Sequence, residues 1–370
     1  MQQSRIGNFY PWGRLGGRLH LALALLVALL TFASSAFASN ASLMSVPKYA
    51  AVLMDPATGE VLYARNPDEQ RHPASITKVM TLFLTFEALE SGDIKLTDRL
   101  HFSRFARNQA PSKLGVGKKQ TISISQAIQA LATKSANDVA VALAEHLAGT
   151  EKDFAKKMNA RARELGMTHT HFENASGLPN ARHYSSARDI ALLSQAMLKQ
   201  YPQFYSYFQQ QQFTYAGRVM PNHNKLLGRS QGVDGIKTGY TVASGFTLAA
   251  SAVRDGKRLI AVVLGAPTSA SRDRNVEALL DAGYGVLADR KQGRVVSVAA
   301  RVDAGEDLPP VLLAQQPAFE MWRVLAEQGS EDSVTGAGEP QERAGIVRTT
   351  SKNGGKLNSN ISGARTVRVP

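Results

Sequence analysis

Phe246-Thr247-Leu248-Ala249-Ala250-Ser251-Ala252-Val253-Arg254-Asp255-Gly256-Lys257-Arg258-Leu259-Ile260-Ala261-Val262-Val263-Leu264-Gly265-Ala266 is two apolar runs parted by a short polar turn. Asp-Gly between such runs favours a tight two-residue hairpin, because glycine accepts the positive φ that the turn demands. The two runs are therefore expected to be antiparallel strands. Upstream, Tyr49 to Met54 and Glu60 to Arg65 flank Asp55-Pro56-Ala57-Thr58-Gly59, a second hairpin pattern. Between the two hairpins the pattern is helical, over residues 74–90, 124–148, 151–165 and 186–199. A last helix is expected over roughly residues 272–287. Early strands, a helical block, late strands and a closing helix make an α+β chain. The predicted architecture is a mainly antiparallel sheet packed between helices, with a helical subdomain.

The ends of the chain differ from this middle. Arg5, Arg14 and Arg18 precede the apolar run Leu21-Ala22-Leu23-Ala24-Leu25-Leu26-Val27-Ala28-Leu29-Leu30, and Ala36-Phe37-Ala38 follows. A basic start, a short apolar run and a small-x-small site read as a secretory signal peptide over 1–38, cleaved after Ala38. The run is too short for a spanning helix. After residue 288 the periodicity fades. Residues 289–327 read as a short, weakly structured extension, and 328–370, rich in Gly, Ser, Thr and Asn, as a disordered basic tail. The organisation read from sequence is thus leader 1–38, catalytic domain 39–288, extension and tail.

Charge and cysteine content narrow the function. The 370 residues carry a formal net charge of +13 and no cysteine. Without cysteine there are no disulfides, thiolate metal sites or cysteine nucleophile. Three of the positive charges leave with the leader, and residues 341–370 hold six basic residues against Glu342 alone. The basic excess is therefore concentrated in segments that do not build the fold. An exported protein of this kind is not expected to bind nucleic acid. Its tail is expected to be a solvated end near anionic wall polymers or the membrane surface.

Three short motifs carry chemistry. Ser75-Ile76-Thr77-Lys78 puts a hydroxyl and an amine at i and i+3, on one face of a helix. A serine hydroxyl needs an adjacent base, and a lysine serves as one only where burial lowers its pKa. This helix, the most apolar in the chain, offers that burial. Ser45-Val46-Pro47-Lys48 has the same spacing, but Pro47 cannot sit inside a helix. Ser135-Ala136-Asn137 lies at a junction of helical stretches, where unpaired backbone groups often line a cleft. Ser351-Lys352-Asn353 repeats part of that motif in the tail. Lys237-Thr238-Gly239 opens the late strands, with a cation and a hydroxyl suited to a carboxylate and a glycine that permits close approach. His169 and His171 alternate beside Glu173 without a third ligand at a recognisable spacing, so no metal or other cofactor is expected.

S-x-x-K, S-x-N and K-T-G, in this order on a helix, a helix junction and a strand, form the signature of penicillin-binding proteins and serine β-lactamases. The chain resembles the D-alanyl-D-alanine carboxypeptidases among the low-molecular-mass penicillin-binding proteins, from about Tyr49 to Tyr284. The resemblance extends to Asn174-Ala175-Ser176-Gly177-Leu178-Pro179, to His183-Tyr184-Ser185-Ser186-Ala187-Arg188-Asp189 and to Val233-Asp234-Gly235-Ile236 ahead of Lys237. It implies a β-lactamase/transpeptidase-like fold and the removal of terminal D-alanine from peptidoglycan stem pentapeptides, with covalent binding of β-lactam antibiotics. It implies Ser75 as nucleophile, Lys78 as its base and Ser135 as proton relay. Asn137, Lys237, Thr238 and Gly239 would bind substrate, Lys237 as a cation, and the backbone N–H groups of Ser75 and Tyr240 would form the oxyanion hole. Many relatives carry Arg where this chain has His223, which leaves that side of the carboxylate pocket less positive. A D,D-endopeptidase would use the same residues on crosslinked peptides. A class A β-lactamase would carry Glu-x-x-Leu-Asn, which this chain lacks. A non-turnover penicillin-recognising module could dispense with residues that are all present here.

Overall fold

The computed structural model describes residues 48–302. The leader, the tail and residues 303–327 of the extension lie outside them. In chain order the elements are β1 (Ala50–Met54), β2 (Val61–Arg65), a 3-10 turn (Ala74–Thr77), α1 (Lys78–Glu90), β3 (Arg99–Leu100), α2 (Arg104–Arg107), β4 (Ile122–Ser123) and α3 (Ile124–Gln129). A π-helical turn (Ala130–Lys134), α4 (Asn137–Ala148), α5 (Glu151–Glu164), α6 (Ala187–Gln200) and a 3-10 segment (Pro202–Gln209) complete the helical block. Then come β5 (Gln212–Tyr215), β6 (Arg218–Pro221), β7 (Val233–Thr241), β8 (Gly245–Arg254), β9 (Lys257–Ala266), α7 (Ser269–Lys291) and α8 (Val298–Val302).

The central sheet has five strands in the order β2-β1-β9-β8-β7, every pair antiparallel. Arg254 pairs with Lys257 across the Asp255-Gly256 turn, as the hairpin chemistry requires. The early hairpin joins through β1 to β9, with Val52 opposite Val262. The sheet order therefore unites the two ends of the folded region, as expected from the sequence.

The sheet is covered on both sides, and period-two alternation divides its side chains between two cores. Val52, Met54, Ile260, Val262 and Leu264 join the core built with α1, α4 and α6. Ala51, Leu53, Leu259, Ala261 and Val263 join the other core, with Val276, Leu279 and Leu280 of α7. A Cβ on Gly283 would lie 2.6 Å from the Leu53 side chain, so α7 settles closely onto the strands at that glycine.

Several boundaries differ from the sequence expectation. The helix expected over 74–90 starts as a 3-10 turn and becomes α-helical only at Lys78. The pattern over 124–148 is broken, because the chain reverses at Ser135, whose φ of 61° is left-handed. α7 runs to Lys291, one turn past the expected end. In the segment read as weakly structured, Val298 and Val302 pack into the second core. The short β5–β6 hairpin (Phe213 opposite Met220) carries too few apolar residues to stand out in sequence.

Candidate active site

The site lies where the 3-10 turn, the Ser135 reversal and β7 meet. Pro73 precedes the turn and fixes its own φ, which favours a turn start. Ala74 adopts φ 50°, a costly value for a side-chain-bearing residue that the surroundings must hold in place. Gly177 supplies part of that hold. Its φ is +79°, and a Cβ there would sit 1.8 Å from the Ala74 carbonyl oxygen. The loop around Gly177 is thus packed directly onto the residue before Ser75.

Lys78, the first residue of α1, is wholly buried. Its Nζ lies 3.0 Å from Ser75 Oγ and donates to Asn137 Oδ1 at 2.7 Å and to the Ser176 carbonyl at 2.6 Å. Burial, reinforced by the charge of Lys237, holds Lys78 well below the usual lysine value, against the opposing pull of Asp138 and Glu151. A lysine whose pKa is lowered by burial, within reach of a serine hydroxyl, is suited to accept that hydroxyl's proton. The Ser176 carbonyl had no signal as a partner in the sequence, since any residue type supplies one.

The Ser135-Ala136-Asn137 segment enters between the π-helical turn and α4. Ser135 Oγ is buried and has no hydrogen-bond partner. An orphan hydroxyl is costly and marks a place where function outweighs local stability. Asn137 spends its carboxamide on the protein: Oδ1 accepts from Lys78, and Nδ2 donates to the Ala110 carbonyl at 2.9 Å. One N–H of Nδ2 remains for a further partner. Asp138 anchors the opposite wall by accepting from the backbone N–H groups of Leu114 and Gly115.

β7 forms the far edge of the sheet and comes unusually near the nucleophile turn. A Cβ on Gly239 would lie 2.9 Å from the Ser75 backbone nitrogen and 2.6 Å from Thr247 Oγ1, so a side chain here would push the strand away. Lys237 and Thr238 are both buried. Lys237 Nζ donates to the Thr238 carbonyl at 2.9 Å. Burial, with Arg272 adding to it, pushes Lys237 down to about 7. The sequence reading gave Lys237 as a simple cation; packing brings it to the edge of neutrality. Arg272, on α7 and itself buried, escaped the sequence reading because no motif marks it. His223 also belongs here: although its side chain reaches solvent, desolvation on its protein-facing side and the charges of Lys237, Lys134, Lys78 and Arg272 lower its pKa.

His183 buttresses the turn from behind. The Glu173 N–H donates to its Nδ1, which assigns the proton to Nε2, and Nε2 then donates to Thr77 Oγ1 at 2.8 Å. Burial pushes this ring down to about 3, so it serves as a neutral strut. Among the described residues no group of three His, Asp or Glu side chains converges to hold a metal. Of the candidates read from sequence, Ser75, Lys78 and Asn137 are joined by hydrogen bonds, and Gly239 comes close to the Ser75 backbone.

The sequence profile of the D-alanyl-D-alanine carboxypeptidase family matches residues 37–268. The chain belongs to this family. The D-alanyl-D-alanine carboxypeptidase DacF of Bacillus subtilis is 38% identical over 280 residues, 72% of this chain and 71% of that protein. Penicillin binding protein 5 of Haemophilus influenzae superposes with a TM-score of 0.62 at 36% identity, over 64% of this chain and 70% of its own. Penicillin-binding protein D2 of Listeria monocytogenes, solved in an ampicillin-bound form, superposes at 0.59 with 34% identity, over 64% of this chain and 96% of its own. The α+β fold expected from the sequence is the fold of these family structures.

Proposed function

We propose that this protein is a serine D,D-carboxypeptidase that removes the terminal D-alanine from peptidoglycan stem pentapeptides and is acylated by β-lactams at Ser75. The observation that carries this reading is the 3.0 Å contact between Ser75 Oγ and the buried Lys78 amine. In the reaction, Ser75 Oγ attacks the carbonyl carbon of the scissile bond while its proton passes to neutral Lys78. The developing oxyanion lies between the backbone N–H groups of Ser75 and Tyr240, on the two elements that Gly239 allows to approach. Ser135 delivers a proton to the departing D-alanine amine and is reprotonated from Lys78 or Lys237. Asn137 offers its remaining N–H to the substrate's backbone carbonyl, and protonated Lys237 with Thr238 holds the terminal carboxylate. Water then attacks the acyl-enzyme, Lys78 takes its proton, and Ser75 leaves as a hydroxyl.

The cell envelope, where wall peptide lies, is the proposed location, with residues 1–38 proposed as an export leader. Residues 39–288 are proposed as the catalytic domain. The test is labelling of purified protein with fluorescent penicillin together with D-alanine release from a stem pentapeptide. Wild type labels and releases D-alanine; Ser75→Ala does neither. Labelling of Ser75→Ala overturns the nucleophile assignment. Cleavage of crosslinked dimers without D-alanine release replaces the carboxypeptidase reading with the endopeptidase one.

A further inference from the structure

The chain ends do not account for the basic excess expected to gather in them. Residues 48–302 alone hold 33 Lys and Arg against 21 Asp and Glu. Much of that surplus falls in one stretch: residues 99–137 contain seven Lys and Arg and no Asp or Glu. Arg104, Lys118 and Lys119 are exposed, and Arg107, Lys113 and Lys134 are half-buried. Among the described residues, every ion pair lies outside this stretch. Where these cations do bond, their partners are neutral: Arg107 donates to the Phe102 carbonyl, and Lys113 Nζ to the Arg107 carbonyl at 3.1 Å. Like charges gathered without counter-charges oppose the compact state, and an anion laid across them relieves that repulsion.

The stretch is fastened to the wall of the active site. The Asn137 N–H donates to the Ser112 carbonyl at 2.7 Å, and Ser112 Oγ donates to the Lys134 carbonyl at 2.9 Å. Together with the Ala110 carbonyl on Asn137 Nδ2 and the Leu114 and Gly115 N–H groups on Asp138, these bonds tie residues 110–115 to the Ser135-Ala136-Asn137 segment. α2 lies farther out, where Ser103 Oγ donates to Glu145 Oε1 at 2.8 Å. Glu145 follows Asn137 along α4 at a distance of about 12 Å, at about 1.5 Å per residue. At the other end Lys134 closes the π-helical turn, which packs against β5 and β6. The cations therefore run outward from the site, over a length greater than the peptide end held at Lys237 and Thr238. A ligand that covers them lies outside the cleft.

We propose that this stretch is a docking surface, outside the reaction cleft, for polymeric wall strands that carry many free peptide carboxylates. The proposal rests on the proposed function for its substrate: every uncrosslinked stem ends in a carboxylate, so a strand bearing many stems is a polyanion. While one stem enters the cleft, carboxylates of its neighbours lie against Arg104, Lys118 and Lys119. Several weak contacts along one strand raise the concentration of stems at Ser75 without any new contact in the cleft. A membrane suits the surface less well. Phe105 is the one large apolar side chain exposed in the stretch, and α2, which carries it, has four residues. A helix that lies in a membrane surface needs a whole apolar face. Lipid on this wall would also cover the approach to the cleft.

The test uses the full chain acylated with penicillin, so that the cleft is closed and only outside contacts remain. Sedimentation with isolated cell wall rich in uncrosslinked stems reads the affinity. Wild type is expected to cosediment, and to lose at least about tenfold in affinity as ionic strength rises from about 0.01 M to about 0.15 M and the Debye length falls from about 30 Å to about 8 Å. The triple variant Arg104→Glu, Lys118→Glu, Lys119→Glu is expected to bind at least about tenfold more weakly than wild type. Lys199→Glu, Lys257→Glu, Lys291→Glu makes the same change of net charge at exposed positions outside the stretch, and is expected to stay within about twofold. Unacylated, both variants are expected to release D-alanine from a soluble acetylated pentapeptide within about twofold of wild type. If circular dichroism shows the first variant misfolded, its glutamine counterpart takes its place, with an expected loss of at least about threefold. Equal losses in the two triple variants, or no loss in the first, overturn the docking surface. Tighter binding to phosphatidylglycerol vesicles than to wall, lost in the same variant, overturns the wall strand as its partner. If penicillin does not acylate wild type, the proposed function fails, and sedimentation of the unmodified protein still decides the surface.

Discussion

Lys237→Met is the most informative substitution in this protein. Lys237 is fully buried, and its folded value of about 7 lies far below the ordinary 10.5 it recovers on unfolding. At pH 7 the native state therefore binds about half a proton at this site and the unfolded state binds one. Integrated over that difference, the depression costs folding about 4 kcal/mol at pH 7, at 1.36 kcal/mol per pK unit. Methionine is of similar length, carries no charge and loses only the bond to the Thr238 carbonyl, worth about 1 kcal/mol. The variant is expected to be about 3 kcal/mol more stable at pH 7, and to have lost carboxypeptidase activity. The sign of the pH dependence is fixed. Because the unfolded state holds more protons, wild-type stability rises with pH from about 7 to about 10.5 through this group. Urea unfolding of both proteins at several pH values between 6 and 10 reads the difference, in which titrating groups that do not feel the Lys237 charge cancel. The gap should be widest at and below pH 7 and shrink toward pH 10. Parallel stability profiles, or a variant less stable at pH 7, would refute the claim that the fold holds Lys237 at the edge of neutrality.

Three further outcomes are expected. Lys78→Ala should slow acylation by fluorescent penicillin by about 10²–10⁴-fold, the range for loss of a positioned base, with unchanged circular dichroism. The pH profile of kcat/KM should fall on the alkaline side with a pKa near 7, as Lys237 loses its proton; Lys237→Arg, always charged, should move that limb upward. Gly177→Ala should cost about 3 kcal/mol or more in urea unfolding and slow acylation, since its Cβ would strike the Ala74 carbonyl at a φ of +79°.

Much of the architecture was legible because it follows from local pattern. The Asp255-Gly256 turn, the apolar strands and the spacing of the helices each respond to short-range chemistry. The Ser75 and Lys78 pair was legible for the same reason, since i and i+3 share a helical face. Boundaries were less so. Ser135-Ala136-Asn137 was legible as a junction of helical stretches, but the left-handed φ of Ser135 at that junction was not.

What the sequence determined by itself was therefore the order of strands and helices, and which side chains had the right chemistry at the right spacing. It could reject Lys48 through Pro47, and the structure places Lys48 at the surface, bonded to the Val242 carbonyl at 3.2 Å. The tertiary structure decided everything that depends on exclusion of water and on neighbours far along the chain. It brought Lys78 to Asn137 and to the Ser176 carbonyl, across 59 and 98 residues. It added Arg272 and His223 around Lys237, and it left Ser135 Oγ without a partner. A lysine's charge state is set by the solvent and charges around it. Those surroundings arise from packing, which local sequence pattern does not contain.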